Sequence, residues 1–436
     1  MELLERDVTL RMPFRFGSVT LTAAPQAFVR ARIRLESGIE AEGACAQLLL
    51  PKWFDKDPTL SNEDNLSQLR QSLRGAREAY TAAGADTAWG HARDHCRSGL
   101  VAAYGPALLD CAVLDALCRA LGVSVYDALR GNAIGAEDFE GMAMPAFLAG
   151  LTPGGRIAVR HTVGLADPIT AADAGDRVDD GLPETLQDVV ARHGVRYFKL
   201  KISGDTAADL ARLAEIAAVL ERIPGPYHAT LDGNEQYEDM AGVAALWQAM
   251  GSDPRLARLV QSILFIEQPV ARARALQEAV AGIDRPVIID ESDAALDAFP
   301  RARALGYRGV SSKTCKGLYK SLINAARCAL WGSPYMMSGE DLTLQAGLAL
   351  QQDLALVSLL GLAHVERNGH HYVNGMAGLP QGEQDAFLAA HPDLYERSHG
   401  AVRVRIRDGE LAIATLACPG FASAAMPDWS TMRSMH

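Results

Sequence analysis

Three short apolar runs of the 436-residue sequence end in acid: YHATL leads to Asp232, ILFI to Glu267, and PVII to the pair Asp290 and Glu291. Runs of this kind, bounded by turn-forming residues, predict strands. If the three are neighbours in one parallel sheet, their carboxylates meet at one rim. Converging carboxylates repel, and one of them must take up a proton unless a cation joins them. No His or Cys belongs to the set, so the donors are all oxygens, which favours Mg²⁺, or else Mn²⁺, over Zn²⁺. Taken singly, each acid is more simply a helix cap or turn residue; Asn234 would be an Asx-turn former and Asp293 a helix cap. Three acids in register on successive strands argue against coincidence.

A second group is basic. Lys199 and Lys201 are two apart in RYFKLKI, so they share one face of a strand with Tyr197, while Phe198, Leu200 and Ile202 take the other. Lysines directed into a sheet interior need anionic company, and the acidic rim would supply it. Lys313 ends GVSSK, a sixth strand opposite the second in a ring of eight. Lys316 and Lys320 are expected in the following helix, exposed to water.

The elements that must position these groups alternate along the second half of the chain. IAVRHTVG, RYFKLKI, YHATLDG, ILFIEQP, PVIIDES, GVSSK, PYMMSG and LAHVER predict eight strands, separated by helical stretches such as ADLARLAEIAAVLERI. That alternation predicts a (β/α) barrel, in which catalytic groups sit at the strand ends. A doubly wound sheet is less suited, because no GxGxxG follows a first strand. Residues 1–50 alternate as strands, and 63–130 read as helices, one of which Gly122 would close. The glycine-rich stretch from 131 to 155 marks a boundary. VRVRIRDGELAIATL near the C-terminus predicts a strand pair rejoining the first domain.

Composition limits the function classes. The chain is 49% hydrophobic and 22% charged, ordinary for a soluble fold, and its formal net charge of −11 argues against nucleic acid as a partner. No uninterrupted apolar run is long enough to span a bilayer. The seven cysteines are scattered with no CxxC, and no signal peptide is apparent, so a cytoplasmic location is expected.

In their order, KLK at 199–201, DGNEQY at 232–237, IEQP at 266–269, DES at 290–292 and K-x-x-K-G at 313–317 resemble the enolase superfamily, and within it the muconate-lactonizing subgroup. LLDCAVLDALCRALGVSVYDALRG at 108–131 is similar to the segment that closes that family's capping domain. The resemblance covers nearly the whole chain. It implies a modified barrel of the (β/α)7β type over 151–366. An α+β capping domain would span 1–150, and a C-terminal segment, 367–436, would return to it. It also implies Asp232, Glu267 and Asp290 as magnesium ligands, backed by Asn234, Glu291 and Glu340. Lys201 and Lys313 become acid/base catalysts on opposite faces of the substrate, with Lys199 an electrostatic partner. The mandelate-racemase subgroup fits less well, since the seventh strand, PYMMSGED, has Glu340 and no His.

The chemistry so implied is Mg²⁺-dependent removal of a proton α to a carboxylate, with the enediolate charge held by the metal. Racemisation or epimerisation, cycloisomerisation and syn elimination all remain open. The ammonium of Lys199 and the metal would depress Lys201 toward neutrality. Capping loops would set specificity, with Phe14, Arg15, Phe16, Trp53 and Phe54 as candidates, Arg15 suiting a second substrate anion. The alternatives are an acid-sugar dehydratase on the same scaffold and a non-catalytic binding relative. The partner would be a small carboxylate, with no nucleic acid or membrane, and a homo-oligomer is expected. Two departures stand out: a long stretch between Asp232 and Glu267, and His370–His371, for which a surface-loop role is expected.

Overall fold

Alternation of apolar and polar residues carries the chain through three antiparallel strands, β1 (Glu2–Phe16), β2 (Val19–Arg34) and β3 (Glu40–Leu48). The computed structural model describes residues 1–436 apart from Ser18, Ala174, Asp176 and His436. One face of this sheet is covered by the helix Leu100–Leu121, which Gly122 ends in a left-handed turn, as its position predicts. The helix comes so close that a Cβ on Gly43 would lie 2.1 Å from the Ala116 nitrogen, so only glycine fits there. Asp115 rewards the approach by accepting from the Ala44 amide at 2.8 Å. By length and composition this helix could cross a membrane, but 72% of its apolar window is buried against the sheet and its neighbours.

The eight predicted strands are all present: β4 (Arg156–Val163), β5 (Tyr197–Lys201), β6 (His228–Asp232), β7 (Ile263–Glu267), β8 (Val287–Ile289), β9 (Gly309–Ser312), β10 (Met336–Gly339) and β11 (His364–Arg367). They run parallel in chain order, and β11 pairs back onto β4 through His364↔Ala158 to Arg367↔His161, closing the barrel. Strand parity then sorts the side chains. On β5, Phe198 and Leu200 are fully buried on the side of the outer helices, while Lys199 and Lys201 point inward.

The C-terminal segment departs from expectation. Within VRVRIRDGELAIATL, β13 (Ala401–Val404) pairs with β12 (Tyr395–Ser398), and β14 (Glu410–Ala412) pairs with the barrel, not with the first sheet. The reason is an open edge: β5 meets β4 only from Arg160 onward, which leaves Arg156–Ala158 free for β14. The N-terminal sheet gains instead the short β15 (Arg433–Ser434), beside Leu4 and Glu5 of β1. The long stretch between Asp232 and Glu267 folds into helices Met240–Ser252 and Ala257–Ser262, joined by a tight turn.

Candidate active site

Register brings the first three groups into line. Lys201 of β5 lies opposite Asp232 of β6, which lies opposite Glu267 of β7. Two residues after Ile288, the partner of Glu267, comes Asp290, on the same inward parity. The loops that follow are tightly knitted. Asn234, Glu235 and Gln268 adopt left-handed backbone conformations with φ of 42°, 69° and 33°, each costing on the order of 1–3 kcal/mol for a residue with a Cβ. They are held by amide bonds from Gly233 to Glu267 and from Glu235 to Gln268. The Gln268 side chain accepts from the amides of Asp290 and Ser292 and donates to Val270 and the Ser292 hydroxyl. One glutamine therefore fixes the loop carrying Asp290 to the strand carrying Glu267.

The interior is a closed network of charges. Lys199 Nζ stands 2.6–3.0 Å from carboxylate oxygens of Asp232, Glu267, Glu340 and Glu366. Burial alone would lower its pKa, but the four acids outweigh burial and hold it well above the ordinary lysine range. Lys201 donates to Asp232 at 2.5 Å and to Asn234 at 2.7 Å. Lys313 donates to Asp290 at 2.5 Å, and this acid overcomes burial to raise its pKa as well. Burial would raise Asp290, but Lys313, Lys316 and Lys199 together hold it well below the carboxylate range. Glu267 goes the other way: burial, then the like charges of Asp232 and Glu340, push it well above the usual value.

Lys199, Lys201, Lys313, Asp232, Asp290 and Glu366 form the floor of one pocket whose wall comes from the N-terminal strands and loops. Phe14, Phe16, Leu50 and Trp53 line it, with the Trp53 ring centroid 4.5 Å from Lys313 Nζ. Phe54 lies behind Trp53 in an edge contact with it and with Tyr104. The loop is latched to the barrel. Arg272 donates to the carbonyls of Trp53 and Phe54 and pairs with Glu235, while Lys56 Nζ sits 2.7 Å from Glu235 and 3.3 Å from Glu291.

Several expected placements are corrected. Arg15 is exposed on the opposite face of β1 from Phe14 and Phe16, since strand alternation cannot direct all three inward. Lys316 and Lys320 are buried, not solvated. A tight turn after β9 folds Lys316 back onto Asp290 and Asp293, and Lys320 reaches Asp293, which is thus an ion-pair partner and not a helix cap. His371 is buried and His370 half-buried, so neither belongs to a surface loop. Glu340 is the buried partner of Arg160 and Lys199. Asn234 bridges Lys201 to Glu291. Three further participants, Arg160, Glu366 and Lys56, escape the sequence reading. Parity within IAVRHTV and LAHVER could have found the first two, which share the inward face of their strands.

Among the described residues, no three carboxylate, imidazole or thiol side chains converge closely enough to hold an ion as they stand, because ammonium groups fill the space between the acids. The donor set nonetheless suits a hard divalent cation. Asp232, Glu267 and Asp290 are oxygen-only, at most 1% exposed and on consecutive strands, and Glu267 is destabilised by the like charges around it.

Residues 181–422 match the enolase C-terminal domain-like family. No curated protein matches the chain. Among solved structures it is similar to the L-Ala-D/L-Glu epimerase from Bacillus subtilis in a substrate-liganded complex, at 14% identity and a TM-score of 0.63, covering 97% of this chain and 98% of that one. It is also similar to 2-chloromuconate cycloisomerase from Rhodococcus opacus 1CP, at 18% identity, a TM-score of 0.64 and coverage of 99% and 96%. Muconate lactonizing enzyme from Pseudomonas fluorescens, complexed with muconolactone, gives 18% identity, a TM-score of 0.62 and coverage of 99% and 98%. At these identities the likeness is one of fold.

Proposed function

The chain belongs to the enolase C-terminal domain-like family, and from that membership we propose a metal-dependent enzyme that abstracts a proton α to the carboxylate of a small acid. The observation that carries this reading is the placement of Lys201 and Lys313. They come from the second and sixth of eight strands and line a single pocket from opposite sides. A carbon held between them can lose its proton to one lysine as the neutral amine and regain one from a lysine in its ammonium form, so both one-base and two-base outcomes are open to the site. Racemisation or epimerisation follows if both act, and syn elimination or cycloisomerisation if one does.

Asp232, Glu267 and Asp290 are the residues that would hold Mg²⁺, which when bound supplies positive charge for the substrate carboxylate and for the charge that develops on it. Lys313, kept protonated by Asp290, is the resting acid. Lys199, surrounded by four carboxylates, stays an ammonium and holds those acids in place. The Phe14–Phe16–Trp53 wall favours a substrate with an apolar body over a polyhydroxylated aldonate, and with Arg15 turned away no second carboxylate is called for. The cap contacts of Arg272 and Lys56 keep water from the closed site.

The test is α-proton exchange in D₂O, read by mass spectrometry, over aromatic and branched 2-hydroxy acids, N-acyl amino acids, dipeptides and aldonates. Deuterium is expected in an acid with an apolar substituent, lost with EDTA and restored by Mg²⁺. Lys201→Ala and Lys313→Ala should each slow exchange by roughly 10²–10⁴-fold. Full exchange in both folded variants would sink the reading, and incorporation into aldonates alone would transfer it to the dehydratase.

A further inference from the structure

After β11 the chain makes only the four-residue helix Gly369–Tyr372 before turning into the C-terminal segment. No long helix therefore covers the outer face of the barrel where β11 meets β4. A crevice remains there, between the barrel, the helix Leu186–His193 and strands β13 and β14. Its nitrogen-bearing walls are His193, His370, His371, Arg367 and Arg403. His161 lies beneath, its ring centroid 5.3 Å from that of His370 and 5.0 Å from that of His371. Val159, Leu350 and Leu411 supply an apolar floor.

Several of these groups lack partners. Among the described residues, neither ring nitrogen of His370 has a hydrogen-bond partner, nor does Nδ1 of His161, nor one terminal nitrogen of Arg367. Arg367 is only 2% exposed, and its remaining nitrogens are committed to the Glu366 carbonyl, Asp353 and Asp341. An unsatisfied buried donor costs roughly 1–3 kcal/mol, so this nitrogen favours any acceptor that enters the crevice. Although the chain carries a net charge of −11, no Asp or Glu is among the described residues lining the crevice.

Histidines in such number would first suggest a transition metal. Among the described residues the rings do not converge as a ligand set. Burial keeps His370 and His371 well below the ordinary imidazole pKa, and a neutral ring still offers one N–H. We infer that the crevice is a second binding site, separate from the barrel mouth, for a small organic carboxylate with an apolar body, its anion received by Arg367 and His370 and its body by the apolar floor.

The test is calorimetric titration of the full chain with benzoate, with benzyl alcohol as the uncharged control. Wild-type protein, His370→Ala and Lys313→Ala would be compared. Benzoate should bind wild type and Lys313→Ala equally, and at least about tenfold more weakly to His370→Ala. Arg403→Gln, on the crevice wall, replaces that variant if it does not fold. No benzoate binding, equal binding of benzyl alcohol, or binding unchanged in the folded crevice variant would overturn the inference. So would binding lost only in Lys313→Ala, which would assign benzoate to the barrel mouth. The activity proposed for the barrel mouth plays no part in these outcomes.

Discussion

Two clusters of ionisable groups are buried on either side of one barrel wall, and they are solved in opposite ways. Inside, Lys199, Lys201, Lys313, Lys316 and Arg160 are each ion-paired with a carboxylate. Outside, no acid among the described residues compensates His161, His370 or His371, and burial holds them neutral. The clusters are one residue apart in sequence: Arg160 points in and His161 out, Glu366 in and Arg367 out. Alternation on two strands thus divides a charge-compensated interior from an outer face rich in unused donors. The lesson is that a buried ionisable group persists either by pairing or by giving up its charge, and neighbours on one strand take different routes.

The largest break in this comparison should come from removing one half of an interior pair. Arg160→Met leaves Glu340 sharing Lys199 alone, and should lower stability in urea by roughly 3–5 kcal/mol. The double variant Arg160→Met/Glu340→Leu should recover most of that loss. If the single variant is as stable as wild type, the interior is not held by pairing.

Next in size is the response of the outer cluster to acid. Burial, aided by His193, pushes His161 down to about 3, and burial pushes His193 down to about 4. An imidazole with a depressed folded pKa contributes stability above its unfolded value of about 6.5, and that contribution is lost as pH falls toward the folded value. Stability should therefore decline between about pH 6.5 and 4, by up to a few kcal/mol. His161→Phe should flatten that decline relative to wild type in denaturant titrations at each pH. Parallel pH profiles for the two proteins would show that His161 titrates normally.

A smaller effect is expected where the interior meets the cap. Trp53→Phe weakens the ring contact with Lys313 by about 0.5–2 kcal/mol, so kcat/KM for the acid found by exchange should fall severalfold with folding unchanged. Arg272→Ala should mainly raise KM, since it frees the loop without touching the floor. The smallest effect belongs to the crevice: His370→Ala deletes no hydrogen bond, and its cost in urea should stay below about 1 kcal/mol.

Much of this was legible because the signals are local. A strand of period two declares its two faces, so RYFKLKI already separates Lys199 and Lys201 from Phe198 and Leu200. Acids that end apolar runs show where the rim lies. The readings that failed depend on what the chain meets after it turns. Lys316 and Lys320 look like solvated helix residues until the turn after β9 folds them onto Asp290 and Asp293. The pair His370–His371 looks like a loop until His161 and His193 close on it. VRVRIRDGELAIATL shows strand character, but only the free start of β4 decides which sheet it joins.

The sequence by itself determined the eight strands, their inward and outward faces, and the kinds of side chain at their ends, since each depends on periodicity and residue type within a few positions. The tertiary structure alone decided which acid each lysine pairs with, that Phe14, Phe16 and Trp53 wall the pocket while Arg15 does not, and that a crevice of unpartnered nitrogens lies behind the same wall. Ion pairing and burial act between residues far apart in the chain. Barrel closure, which sets β11 against β4 across nearly half the chain, is what brings them within reach.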